Sequence, residues 1–188
     1  MDVLKIRLLG PLTVEWHEAL WSIPRRQTRL LLFRLAVRGR PLVREHPLFL
    51  LWPDRSQAAA GRNLSHLLTH LRHALPAGDV VFRVDDSIFL DDARVWCDVE
   101  EFLSIGDSGD GSHDLMALER AERLYRGPFL EGISFSHCPE YESWALGERR
   151  FLEQSYCEVL LALIEQFAQA GEMDRVVSYA HRYLAVEC

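Results

Sequence analysis

Arg62, Asn63, His66, Thr69, His70 and His73 crowd into one short stretch of an otherwise leucine-rich segment. At about 100° per residue, Arg62, His66, Thr69 and His73 make one helical stripe, flanked by Asn63, Ser65, His70 and Arg72. Leu64, Leu67, Leu68, Leu71 and Leu75 recur on the opposite face. A guanidinium donates in bidentate fashion to guanine O6 and N7, and a carboxamide pairs with adenine N6 and N7. A helix anchored by leucines and presenting these groups suits the major groove of duplex DNA. His66, His70 and His73, at i, i+4 and i+7, also share one helix face, and the i, i+4 pair has the spacing of helical zinc ligands. No Glu lies between them and no carboxylate shares their face, so no metal site and no cofactor are expected.

Charge points the same way once it is resolved along the chain. The 188 residues carry a net charge of −7, which by itself argues against a polyanionic partner. Residues 1–95 nevertheless hold 14 Lys/Arg against 10 Asp/Glu, and residues 96–188 hold 7 against 18. Between Pro24 and Arg72 ten arginines face only Glu45 and Asp54. That local excess is the footprint of phosphate binding. Arg25, Arg26 and Arg29 are assigned to phosphates, and Arg83 is the cation expected on the wing described below.

Several function classes drop out. No apolar run approaches the roughly 18–20 residues that span a bilayer, and the start Met1-Asp2-Val3-Leu4-Lys5 has no signal-peptide pattern, so a cytoplasmic location without membrane contact is expected. Cys97, Cys138, Cys157 and Cys188 form no Cys-x-x-Cys pair and are expected to be buried thiols. There is no phosphate-loop motif and no Gly-x-Ser-x-Gly. The acidic pairs Asp91-Asp92 and Glu100-Glu101 are sequence neighbours that converge on nothing, so no enzyme is expected.

The elements that must position the polar stripe are readable from periodicity. Val3–Leu9 and Leu12–Trp16 alternate as strands around Gly10-Pro11, and Trp21–Ile23 reads as a short third. Helices are expected at about Arg26–Val37, Arg44–Leu51 and Gln57–Leu75. Val80–Val84 and Ile88–Leu90 join at Asp85-Asp86-Ser87 as a hairpin. Beyond Val95 everything reads helical, at about Asp98–Ile105, Asp114–Tyr125, Pro139–Ala170 and Met173–Val186, with a loop at Gly106–His113. Sheet, three helices and a hairpin make an α+β winged helix at residues 1–94, whose third helix enters the major groove. Residues 96–188 make an all-α domain. Only Asp91–Trp96 separates the two, too little for an independent linker.

The motifs then resemble a family. Leu8-Leu9-Gly10-Pro11-Leu12, Arg25-Arg26-Gln27-x-Arg29, Leu51-Trp52-Pro53-Asp54 and Arg62-Asn63-Leu64…His70-Leu71-Arg72-x-Ala74-Leu75 resemble the DNA-binding domain of the antibiotic regulatory protein (SARP) family of bacterial activators. Asp98-Val99-x-x-Phe102, Ala121-x-x-Leu124-Tyr125-Arg126-Gly127-Pro128-Phe129-Leu130, Trp144-Ala145-x-x-Glu148-Arg149 and Ala170-Gly171-x-Met173 are similar to its tetratricopeptide-related bacterial transcriptional activation domain (BTAD). The resemblance implies a transcriptional regulator that binds double-stranded DNA, works as a homodimer and contacts RNA polymerase subunits. It also implies that the helical domain is truncated at its C-terminus. Two departures stand out: Ser87-Ile88-Phe89-Leu90 replaces the family's Gly-Tyr-x-Leu, and Asp85-Asp86 puts repulsive charge at the wing tip. These support the alternative of a protein-interaction module, or an N-terminal regulatory fragment, with weak or no DNA binding.

Overall fold

The computed structural model describes residues 2–37, 41–106 and 114–186; the expected loop at 107–113, Arg38, Arg40 and Cys188 lie outside them. In β1 (Leu4–Arg7), Leu4 and Ile6 are buried while Lys5 and Arg7 point outward, the alternation of a strand with one face on a core. β1 pairs antiparallel with β2 (Thr13–Trp16), and β2 with β3 (Ala19–Leu20). The third strand thus falls at 19–20 and not at the expected 21–23. His17 and Glu18 take positive φ (51° and 63°), a two-residue hairpin turn that starts the return strand at once. Trp21 lies beyond the strand. Its indole donates to the Ala74 carbonyl at 2.7 Å.

α1 (Arg26–Ala36), β4 (Leu42–Val43), α2 (Glu45–Leu51) and α3 (Gln57–Ala74) follow. Pro47 sits in the first turn of α2, where its missing N–H costs nothing. The Ser56 side chain caps α3 by accepting from the Ala59 N–H at 3.4 Å. β5 (Val81–Val84) and β6 (Ser87–Leu90) form the wing, turned at Asp85 with φ 50°. β4 lines up on β6 and makes a three-stranded sheet.

β7 (Val95–Cys97) has no counterpart in the sequence reading. It pairs parallel with β1, Leu4 opposite Val95 and Ile6 opposite Cys97, and completes a four-stranded sheet of order β3-β2-β1-β7. α4 (Asp98–Gly106) begins at the next residue, followed by α5 (Leu115–Leu124), α6 (Pro139–Gln169) and α7 (Met173–Ala185). Small sheets with three helices and a wing, then an all-helical region, is the α+β winged-helix and tetratricopeptide-like arrangement expected.

The two regions meet at one polar knot and one apolar seam. The buried Asp98 carboxylate accepts the N–H of Leu8 at 2.7 Å and of Leu9 at 3.1 Å, with Arg126 at 3.7 Å. Desolvation of that site raises its pKa against the lowering effect of these donors. Leu130 N–H donates to the Leu8 carbonyl and Gly10 N–H to the Pro128 carbonyl. At Gly10, with φ +88°, a Cβ would lie 2.8 Å from the Arg126 carbonyl carbon; only glycine allows the two backbones so close. Arg149 clamps the loop by donating to the Phe129 carbonyl at 2.9 and 3.1 Å. The apolar core runs without a break from β1 to α7. At its centre is Tyr141, fully buried, donating to the Leu30 carbonyl of α1 at 2.9 Å.

One expectation about cysteine is corrected. Cys97 and Cys138 are buried free thiols, but Cys157 is disulfide-bonded. Wide sequence spacing alone does not show whether a thiol stays free.

Candidate nucleic-acid interface

α3 is built as the leucine pattern requires. Ala60, Leu64, Leu67, Leu68 and Leu71 are buried against the winged-helix core, with Gly61. Arg62, Asn63, Ser65, His66, Thr69, His70 and His73 are exposed on the other side. Two of these are satisfied by their own helix: Ser65 Oγ donates to the Gly61 carbonyl at 3.0 Å and Thr69 Oγ1 to the Ser65 carbonyl at 3.1 Å. The side chains of Arg62, Asn63, His66, His70 and His73 make no hydrogen bond or ion pair among the described residues. They are the groups available to a ligand. No group of His, Cys, Asp and Glu with metal-binding geometry occurs among the described residues.

The remaining candidates separate into free and committed cations. Arg25, at the N-cap of α1, and Arg83, on β5, are exposed. Arg72 is half-buried, its Nε donating to the Val81 carbonyl at 2.9 Å, so it ties α3 to the wing. Arg29 is half-buried and donates to the Ile23 carbonyl at 3.1 Å. Arg26 reaches across to the helical region, donating to the Ser136 carbonyl and to Cys138 Sγ. A side chain bonded in this way contacts phosphate only by giving up its protein partner. At the base of the wing Arg94 is taken by Asp79 at 2.6 Å.

Two arginines not assigned from sequence stand near the N-terminal half of α3. Arg55 is exposed in the turn between α2 and α3. Arg44 lies over Gly61, where a Cβ would stand 2.7 Å from its Nη2. The signal was present: glycine inside a helix costs about 1 kcal/mol relative to alanine and marks a close approach.

Geometry and chemistry together define a winged helix with an unsatisfied Arg/Asn/His face, packed on a helical domain. Comparison with known proteins bears on the fold and on the helical domain. Residues 97–187 match the family model described as bacterial transcriptional activator domain. EmbR of Mycobacterium tuberculosis, solved in complex with a low-affinity phosphopeptide, shares the fold: TM-score 0.59 at 16% identity, over 99% of this chain and 58% of that one. The chain therefore spans a little over half the length of that structure. No curated protein is significantly similar in sequence. A winged-helix fold followed by this domain match is the arrangement that the resemblance to the SARP family implies. No described helix is long and apolar enough to cross a membrane.

Proposed function

We propose that this protein is a cytoplasmic transcriptional regulator whose winged helix, residues 1–94, binds duplex DNA with α3 in the major groove. The helical unit, residues 96–188, supplies contacts to a second copy and to RNA polymerase subunits. The observation that carries the reading is the exposed face of α3, where Arg62, Asn63, His66, His70 and His73 have no partner among the described residues. Arg25, Arg44, Arg55 and Arg83 are the phosphate contacts that fit this geometry. The chain is not assigned any catalysis.

Arg62→Ala and Asn63→Ala are each expected to lower specific affinity by about 1–3 kcal/mol and to relax base choice at one position. Affinity measured against selected and scrambled duplexes checks this, and an unchanged preference in both variants refutes the assignment of α3.

A second reading is favoured by the wing. Asp85 and Asp86 are exposed at its tip, and three of the arginines first assigned to DNA are bonded internally. On this reading the winged helix serves protein contacts and has little DNA affinity. A salt series separates the two, because each phosphate contact contributes a slope of about −0.9 in log affinity against log salt.

A further inference from the structure

We propose that the cleft where the winged helix meets the activator domain binds a small cationic molecule with an apolar body. The cleft has a volume of about 420 Å³, within the range of roughly 300–1,000 Å³ typical of small-molecule sites, which favour domain junctions. Both regions line it: Leu35 at the end of α1, Asp92 after the wing, Trp96 in β7, Glu101 and Ser104 in α4, and Arg120 in α5. Binding there touches both halves at once.

The lining has an apolar part and a pre-organised polar wall. The Trp96 indole Nε1–H donates to one oxygen of Glu101, and Arg120 Nε donates to the other. Glu101 thereby holds the indole in place and neutralises the Arg120 guanidinium. Asp92 is different: it is exposed and has no ion pair or hydrogen bond among the described residues. Asp92 lines the cleft beside residues 96–188, which hold 7 Lys/Arg against 18 Asp/Glu. The potential there favours a positive ligand group. An ammonium beside Asp92 would leave the apolar body for Leu35 and the Trp96 ring. That ring already takes one cation, the Arg7 guanidinium at 5.5 Å from its centroid, and the attraction between a cation and an indole face is general.

This site does not depend on α3 reading bases, so its test is separate. Phenethylamine is titrated into the isotope-labelled full chain while the Trp96 indole N–H resonance, identified by its loss in Trp96→Phe, is followed. A saturable shift is expected. Phenylacetate has the same body and the opposite charge, and is expected to bind at least tenfold more weakly. Asp92→Asn, a surface change, should weaken amine binding at least threefold, and Ser104→Phe should block the mouth and abolish it. No saturable shift with the amine, equal affinity for phenylacetate, or undiminished affinity in both variants would overturn the proposal.

Discussion

Gly61 shows how one residue can separate stability from binding. It is buried in the first half of α3, under the Arg44 guanidinium. A methyl group added there meets only the far end of a flexible side chain, which can swing away. Gly61→Ala is therefore expected to keep or raise stability, by up to about 1 kcal/mol from helix propensity, as read by urea denaturation. The same change dislodges Arg44 from its place beside the recognition face. If Arg44 contacts phosphate, binding to all sequences weakens together and the salt slope becomes shallower. Arg26 teaches the opposite lesson. Its bonds to Ser136 and Cys138 make it a strut between the two regions, so Arg26→Ala acts first on stability.

At the scale of the element, α6 organises the junction. Its exposed and buried positions are not divided into two clean faces; Tyr141, Ala145, Leu152, Tyr156, Leu160 and Leu163 are buried against several neighbours. Tyr141 packs edge-on against Trp144 at 5.0 Å and stacks on Phe135 at 5.7 Å, while its hydroxyl bonds to α1. Burial holds the phenol well above its ordinary pKa, so it stays a neutral donor. Tyr141→Phe removes one hydrogen bond to a carbonyl, and is expected to cost about 0.5–1.5 kcal/mol. Tyr141→Ala opens the centre of the core, at a cost of about 3–5 kcal/mol. Urea midpoints at constant m-value distinguish the two.

For the whole molecule, the continuous core and the parallel β1–β7 pair predict that the two regions unfold together. Fluorescence of the tryptophans and far-ultraviolet circular dichroism should report one coincident urea transition; two separated transitions would contradict the joint core. Acid should weaken this junction. His46 on α2 lies with Nδ1 3.1 Å from Arg34 Nη2, so the ring must accept and remain neutral. Burial first, and then Arg34, lower its pKa from 6.5, with Glu148 opposing. A lowered folded-state value means the unfolded chain binds more protons, so stability present above about pH 6.5 is lost as the pH falls below it. Stability measured at pH 7.5 and pH 5.5 should fall less in His46→Gln than in the unaltered chain.

Local pattern by itself determined a good deal here. Alternation marked β1 and β2, leucine spacing marked α3 and its polar face, and proline and glycine marked where α1 and α3 stop. Those signals lie within a few residues of one another, so a single chain suffices to show them. The motifs also carried the family resemblance, down to the glycines at 10 and 127, whose reason appears only when the two backbones meet. What the tertiary structure alone decided was pairing at long range. β7, three residues long, has too little length for periodicity and exists because β1 offers it an open edge. Arg26, Arg29 and Arg72 look in sequence like any other arginines of the basic run. Only the fold brings carbonyls within reach of their guanidinium groups and so divides the basic segment into struts and free charges.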